Sequence, residues 1–193
     1  MDNLNHKEQL KELISSRALQ KGDFELASEA KSQIFFNMKA ISLESQGLNC
    51  IAHTFWDEFE SWELRPTIFA GVSLGADPLV SALILEALKR GVPSSQALMI
   101  RKTVKDHGAT KGRAVEGINP DLLQKNDQLW LFEDVITSGK SSFLGAERLR
   151  AEGYPLAGIF TIVDREAGGV SFLRQKLGVK VKSLFKMSEF KEA

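Results

Sequence analysis

The sequence is poor in cysteine, in net charge and in long apolar runs, and each shortage excludes a class of protein. A single cysteine, Cys50, cannot form a disulfide within the chain, which argues against a disulfide-stapled secreted domain and favours a reducing cytoplasm. The 25 basic and 25 acidic residues cancel, whereas general nucleic-acid binding usually comes with a basic surplus. No apolar run reaches the ~20 residues of a transmembrane helix, and the N-terminus lacks the apolar core of a signal peptide. We therefore predict a cytoplasmic protein that binds neither nucleic acid nor membranes.

What the sequence does contain is an ordinary globular composition arranged as alternating strands and helices. Its 193 residues suit one domain. We predict an N-terminal helix and a hood, that is, a hairpin that covers a ligand site, over about residues 1–45, and an α/β core over 46–193. The alternation predicts an α/β fold with a mostly parallel sheet flanked by helices. Period-2 and apolar segments predict a hairpin within 22–37 and strands at 67–70, 97–100, 129–132, 156–163 and 179–185. Helical patterns cover 7–17, 47–62, 77–90 and 169–177, and a further helix ends at Gly153.

Residues 129–142, LWLFEDVITSGKSS, form the stretch around which the chain is organised. Four apolar residues are followed by two carboxylates, Glu133 and Asp134, and then by a loop of hydroxyls and glycine that precedes a helical pattern. A strand that leads through such a loop into a helix offers backbone N–H groups and the helix dipole to an anion. Two acids repel phosphate, so the ligand should also carry a diol, a bound Mg²⁺ or a carbon that becomes cationic. The alternative is a polar loop that only caps a helix.

Two further segments suggest phosphate binding. A glycine-rich turn at 71–76 lies between a predicted strand and a helix capped by Asp77, and it is either a second anion site or a plain turn. Three glycines, Gly108, Gly112 and Gly117, lie in or next to a basic segment without apolar periodicity. The potential cations of that segment are Arg101, Lys102, Lys105, His107, Lys111 and Arg113. They suit a lid that neutralises a departing diphosphate, although a solvated charge run is the commoner explanation.

Two other segments carry candidate binding residues, an aromatic pair in the hairpin and an arginine after an apolar strand. Phe35 and Phe36 in the predicted hairpin could stack on a flat base, or both rings could belong to the core. Arg165 follows an apolar strand, where ligands gather in open α/β sheets, and could pair with a carboxylate. A surface turn is the alternative for Arg165.

These motifs together resemble a known enzyme family. The order acid-acid-x-x-Thr-x-Gly-x-Ser at 133–141 is similar to the diphosphoribosyl-binding signature of type I phosphoribosyltransferases. The string RKTVKDHG at 101–108 is more specific and resembles that of orotate phosphoribosyltransferases. The Asp164-Arg165 pair and the hood pattern Lys31-Ser32 with Phe35-Phe36-Asn37 are also similar to that family, so the resemblance covers nearly the whole chain.

The resemblance implies a fold, an activity and a set of roles. The fold would be that of type I phosphoribosyltransferases. The reaction would convert orotate and 5-phosphoribosyl 1-diphosphate (PRPP), with Mg²⁺ as cofactor, to orotidine 5′-phosphate and pyrophosphate in pyrimidine biosynthesis. The diphosphate would be bound by the catalytic cations Arg101, Lys102, Lys105 and His107. The rest of PRPP would be bound by Glu133, catalytic Asp134, Val135, Ile136, Thr137, Ser138, Gly139, Lys140 and Ser141. Orotate would be held by Phe35, Phe36, Thr137 and Arg165.

The same resemblance extends to the metal and the assembly. Mg²⁺ would be held mainly by the substrate, with Asp134 able to reach it through water. Part of the basic lid acts across a dimer interface in this family, which implies a homodimer. Two departures bear on base choice and efficiency: Ala27-Ser28-Glu29 replaces the usual Lys-Ser-Gly, and Gly75 replaces a frequent lysine. A transferase for another nucleobase, or a non-catalytic regulator that senses PRPP, are therefore the alternatives.

Overall fold

A computed structural model describes residues 5–25, 31–103 and 112–190 of the chain. The α-helices are α1 His6–Leu13, α2 Lys39–Ser42, α3 Ser45–Ser61, α4 Asp77–Lys89, α5 Lys140–Ala151 and α6 Gly169–Leu177. The strands are β1 Leu19–Glu25, β2 Lys31–Phe36, β3 Ile68–Val72, β4 Gln96–Ile100, β5 Val115–Glu116, β6 Leu129–Ile136, β7 Leu156–Asp164 and β8 Lys180–Lys186. Short 3₁₀ turns cover Pro120–Leu122 and Met187–Phe190. None of the described helices is both long and apolar enough to span a bilayer.

The strands form one central sheet and a separate hairpin. The sheet has the order β5-β4-β3-β6-β7-β8, while β1 and β2 pair with each other in antiparallel fashion. Strands β4, β3, β6, β7 and β8 are parallel, and β5 is antiparallel to β4. The predicted α/β fold, with a mostly parallel sheet and an N-terminal hairpin, is confirmed. The strand order reverses between β3 and β6, and ligands bind at the carboxyl ends of strands at such a switch point.

Strand β6 is rigidly placed because it is buried on both faces. Trp130 and Phe132 pack into a core shared with α3 and α4, whereas Leu129 and Leu131 pack into a second core shared with α5 and α6. A parallel strand covered by helices on both faces is expected to be a continuous apolar run, as this one is. Its carboxyl end, which carries the acid pair, is therefore held by packing on both sides.

The hairpin β1–β2, which we call the hood, is joined to the first of these cores. Phe36 at the end of β2 is buried and packs edge-on against Phe190, with ring centroids 5.6 Å apart. The main chain continues the connection, since the N–H of Asn37 donates to the carbonyl of Ala18 at 2.8 Å. The hood is thus anchored at its open end.

Helix boundaries near the N-terminus and in α4 differ from the prediction. Asn5 caps α1, accepting from the N–H of Lys7 at 3.2 Å, but the α-helix predicted over 7–17 ends at Leu13 and continues as a π-helical turn, Ile14–Ala18. Asp77 is the first residue of α4 rather than its cap, and its carboxylate accepts from the hydroxyl of Ser73 at 2.9 Å. Leu88, in the last turn of α4, is 60% exposed.

Two strand predictions were also incomplete. Strand β6 was expected over 129–132 but runs to Ile136, because pairing with β7 continues through Glu133 and Val135. The two-residue strand β5 was not predicted, since the basic segment around it has no strand periodicity. It forms by pairing with Met99 and Ile100 of β4.

Candidate active site

The link between β6 and α5 has a backbone conformation that strongly favours glycine. Gly139 caps α5 with φ 76°, in the left-handed region. A Cβ atom at this position would lie 3.0 Å from the carbonyl oxygen of Gly169 and 3.0 Å from Cγ of Leu173. The helix starts immediately afterwards, at Lys140, and the first N–H groups of any α-helix lack partners within it. The loop therefore has the local structure that the anion-binding prediction requires.

A cavity of about 330 Å³ lies at this edge of the sheet. Its walls come from the hood, the end of β6, the start of α5 and the residue after β7. The lining residues are Phe35, Phe36, Glu133, Asp134, Val135, Ile136, Thr137, Ser138, Gly139, Lys140, Ser141, Ser142 and Arg165. All residues predicted to bind orotate, and the whole acid-pair loop predicted to bind PRPP, are thus brought to one cavity.

Glu133 is the more deeply buried member of the acid pair. Its side chain is covered, and the hydroxyl of Ser142 donates to Oε2 at 2.9 Å. Burial, and then the charge of Asp134, raise the pKa of Glu133 to about 7, while hydrogen bonds from Ser142 and Ser141 oppose this rise. The hydroxyl of Ser142, the last of the hydroxyls in the 129–142 stretch, is therefore used by Glu133.

The raised pKa of Glu133 predicts a pH-dependent stability. Because the folded protein favours the protonated form, stability is lost as the pH rises from about 4.5 to about 7. The rise in pKa corresponds to roughly 3 kcal/mol. We expect Glu133→Gln to remove this part of the slope when urea unfolding is measured between pH 5 and pH 8. Glu147→Gln, on the exposed side of α5, should keep the wild-type slope; equal slopes in wild type and Glu133→Gln would contradict the assignment.

Asp134 lies where two loops meet. Burial raises its pKa, and the N–H of Val135, which donates to Oδ1 at 2.8 Å, opposes the rise. A Cβ atom at Gly75, in the loop between β3 and α4, would lie 3.2 Å from Oδ2 of Asp134. The β3–α4 loop therefore packs directly against the acid, and the frequent lysine of the family would begin at this point of contact.

A second cavity, of about 410 Å³, lies between the β3–α4 loop and the end of β4. Its lining residues are Ser73, Leu74, Asp77, Met99, Arg101, Lys102, Thr103 and Glu116. Two of the predicted diphosphate-binding cations, Arg101 and Lys102, are therefore beside the β3–α4 loop rather than in the first cavity. Lys105 and His107 lie outside the described residues.

The two hood phenylalanines have different environments. The ring of Phe35 is 38% exposed and lies 5.5 Å from the ring of Phe24, centroid to centroid. Phe36 is 5% exposed and belongs to the core. The core alternative is therefore confirmed for Phe36, while Phe35 presents an open aromatic face and its stacking on a base stays a prediction.

Arg165 connects the end of β7 to the hood. Its side chain is buried, and Nη2 donates to the hydroxyl of Ser32 at 2.6 Å and to the carbonyl of Ile34 at 2.8 Å. Burial lowers the pKa of this guanidinium. The surface-turn alternative is therefore wrong. The contact with the hood was not predicted, because residues so far apart in sequence meet only in the fold.

Sequence reasoning also missed part of the electrostatics. Burial raises the pKa of both acids; the positive charge of Lys39, at the start of α2, opposes this rise for Asp134, and that of Lys102 opposes it for Glu133. Neither effect has a local sequence signal. For both acids, nearby cations as well as hydrogen-bond donors therefore favour the ionised form and oppose the effect of burial on the pKa.

Comparison with known proteins identifies the family. No protein-family model matches the chain. It is 34% identical to the orotate phosphoribosyltransferase of Nostoc sp. over 183 residues, which are 95% of this chain and 84% of that protein. It is also 32% identical to that of Aquifex aeolicus over 186 residues, or 95% and 96% of the two chains. The chain belongs to the orotate phosphoribosyltransferase family.

Structural comparison gives the same fold. The orotate phosphoribosyltransferase of Mycobacterium tuberculosis, in complex with PRPP, superposes with a TM-score of 0.72 at 19% identity, covering 96% of this chain and 98% of that one. The predicted type I phosphoribosyltransferase fold is thereby confirmed. The Ala27-Ser28-Glu29 departure of this family member lies outside the described residues.

Proposed function

We propose that this orotate phosphoribosyltransferase family member transfers the 5-phosphoribosyl group of PRPP to orotate. The ring nitrogen of orotate bonds to the anomeric carbon as the carbon–oxygen bond to the diphosphate breaks. Pyrophosphate leaves with the electron pair, and the proton lost from the ring nitrogen is taken up by the departing pyrophosphate or by solvent. The observation that carries the proposal is the first cavity, where an acid pair, a glycine-capped helix start, an open aromatic ring and a buried arginine face the same space.

Each wall of the first cavity suits one part of the substrates. The loop 137–141 and the start of α5 would hold the 5′-phosphate. Glu133 and Asp134 would lie against the ribose, where negative charge stabilises the developing oxocarbenium ion. Phe35 would stack on orotate, and Arg165 would orient its carboxylate with the N–H groups that the hood does not use. Val135 and Ile136 would line the sugar, and Lys140 would add charge near the phosphate.

Arg101 and Lys102 line the second cavity and would bind the diphosphate with Lys105 and His107. Since the β3–α4 loop forms the opposite wall and also meets Asp134, the anomeric carbon would lie between the two cavities. The diphosphate would thus leave toward the basic residues, which stabilise its growing charge.

The residues of the site fit a substrate-borne Mg²⁺. Within the described residues no group of three or more His, Cys, Asp or Glu could hold a metal ion. Mg²⁺ commonly binds through substrate phosphates, one or two carboxylates and retained waters, and Asp134 is the carboxylate placed to reach it through water. Bound in this way, Mg²⁺ would neutralise the diphosphate as it departs.

The deciding experiment measures pyrophosphate release with each component omitted in turn. We expect release only when PRPP, orotate and Mg²⁺ are all present, and a clear preference for orotate over uracil, hypoxanthine and adenine. Binding of PRPP without turnover of orotate would overturn the proposal. In that case a preference for another base would identify a related transferase, and a gel shift with nucleic acid would identify a regulator.

The two hood phenylalanines allow a matched test of the orotate site. We expect Phe35→Ala to raise the KM for orotate about tenfold, because base stacking on an aromatic ring is worth about 1–3 kcal/mol. Its free energy of unfolding should change little. Phe36→Ala should instead destabilise the protein by about 3–5 kcal/mol, as expected for a buried phenylalanine. Steady-state kinetics and urea unfolding check both variants, and the reverse pattern would remove Phe35 from the orotate site.

We also propose a cytoplasmic homodimer of one-domain subunits, in which lid residues of one subunit act at the cavity of the other. Leu85 and Leu88 support this, since they lie on one side of α4 and are 63% and 60% exposed. Two variants test the exchange: Lys105→Ala and Asp134→Asn, each expected to be nearly inactive alone. If the lid acts across the interface, mixing and reassembling them should restore activity, because hybrid dimers have one intact site. No recovery in a mixture that forms hybrid dimers would contradict this arrangement.

A further inference from the structure

The side chain of Arg148, on α5, contacts the main chain of Arg101 and Lys102, the two cations that line the second cavity. Arg148 lies eight residues, or about 12 Å along the helix axis, beyond the first residue of α5. Its Nη1 donates to the carbonyl of Arg101 at 2.5 Å, and its Nη2 donates to the carbonyl of Lys102 at 2.6 Å. Arg148 lines neither cavity, so its contacts are with the main chain that carries the cations.

The same main chain is supported a second time by the end of α5. The N–H of Arg101 donates to the carbonyl of Ala114 at 2.8 Å. The N–H of Ala114 in turn donates to Oε1 of Glu152, the C-cap residue of α5, at 2.7 Å. Glu152 also accepts from Nε of Arg113 at 2.9 Å. Both chain segments that flank the second cavity are thus tied to one helix.

The chemistry of Arg148 suits it to this task. A guanidinium is planar and presents its N–H groups in a fixed fork, which matches two successive carbonyl groups. These carbonyls follow the end of β4, where no further β-ladder fixes the chain direction. A lysine ammonium is a single point on a flexible stem and would hold at most one of them with any precision. Arg148 therefore holds the carbonyl side of Arg101 and Lys102. The carbonyl of Ala114 holds the N–H of Arg101, and together these contacts set the origin of both side chains.

We propose that Arg148 is a positioning residue that fixes Arg101 and Lys102 relative to the phosphate loop through α5. The start of α5 forms the loop that would hold the 5′-phosphate, and its last turns hold the cations that would receive the diphosphate. One rigid helix therefore sets the distance between the two charged ends of PRPP. This inference rests on the proposed function, since it takes the two cavities as the two ends of one substrate site.

The test separates the two ends with two probes. Ribose 5-phosphate carries only the 5′-phosphate, while Mg²⁺-pyrophosphate carries only the diphosphate, and calorimetry measures the binding of each. We expect Arg148→Lys to weaken pyrophosphate binding about tenfold, equivalent to about 1.4 kcal/mol, and to change ribose 5-phosphate binding less than twofold. The kcat/KM for PRPP should fall about tenfold, while the KM for orotate should stay near that of the wild type.

Arg150→Lys is the matched control, because Arg150 lies on the same helix and donates to the carbonyl of Leu177, away from both cavities. The Arg150→Lys variant should bind both probes as tightly as the wild type does. Glu152→Ala is the second variant and should also weaken pyrophosphate binding selectively, since it removes the acceptor of the Ala114 N–H. Equal losses for both probes, or unchanged pyrophosphate binding in Arg148→Lys, would overturn the positioning role. If the wild-type protein binds both probes but fails to turn over orotate, the proposed function is refuted, while the binding data still test the role of Arg148. If the wild-type protein fails to bind pyrophosphate, both the proposed function and the role of Arg148 are refuted.

Discussion

Replacing Asp134 with asparagine is expected to lower kcat about a hundredfold while leaving the protein folded. The proposed reaction builds positive charge on the ribose, and the carboxylate at the end of β6 faces the cavity where that charge would form. Asparagine has nearly the same shape, and its Oδ1 can still accept from the N–H of Val135. Because burial raises the pKa of Asp134, the folded protein holds the charged form at a cost, so the variant should unfold at an equal or higher urea concentration. The expected pattern is therefore lost activity with retained or increased stability.

Pyrophosphate release under saturating substrates and urea unfolding measure the two effects. Asp121→Asn serves as the control, because it removes the same charge from an exposed residue that lines neither cavity. It should keep wild-type kcat. If kcat of Asp134→Asn stays within twofold of the wild type, Asp134 does not stabilise the transition state, and the main electrostatic argument for the site fails.

The fold and the centre of the site could be predicted because their signals are local. Leu129 to Phe132 are apolar on both faces, which identifies a central parallel strand without knowledge of its neighbours. Gly139 follows the acid pair at the position where the chain needs a positive φ. The order of these residues along the chain therefore also fixes their order around the cavity.

The features of the fold and the site that the sequence did not predict depend on contacts between segments far apart in the chain. Nothing local distinguishes Phe35 from Phe36; the strand alternation exposes one and buries the other only once the hood packs on Phe190. Strand β6 continues through Glu133 because β7 is there to pair with it, a gain that outweighs the low strand preference of an acid. Propensity alone ends the strand four residues too early.

The same reason explains why Arg148 was not singled out. On the helix pattern it is one of two arginines near the end of α5, and both look like favourable partners for the helix dipole. Its role arises from Arg101 and Lys102, whose carbonyls come within reach only when β4 and α5 pack together. Functional positions that act through the main chain leave no motif, because the residues they hold can have any side chain.

Replacing Gly139 with alanine is expected to lower kcat/KM for PRPP about a hundredfold, since misplacement of binding groups by about 1 Å can have an effect of this size. A left-handed backbone costs a non-glycine residue about 1–2 kcal/mol. The added Cβ atom would also lie 3.0 Å from the carbonyl oxygen of Gly169, a backbone atom that cannot rotate away. The loop and the first turn of α5 must then shift, and overpacking of this kind costs about 1–3 kcal/mol more.

Gly178→Ala separates the backbone effect from the effect on the site. Gly178 ends α6 with φ 67°, and no atom lies within 4 Å of the position its Cβ would take. Its replacement should therefore destabilise the protein by about 1–2 kcal/mol and leave kcat/KM unchanged. Gly139→Ala should lose more stability than this and should also lose PRPP binding, measured by urea unfolding and steady-state kinetics. If Gly139→Ala and Gly178→Ala lose the same stability and have the same activity, the loop at Gly139 tolerates the added atom. The backbone N–H groups at the start of α5 could not then be the tight phosphate site on which the proposed function depends.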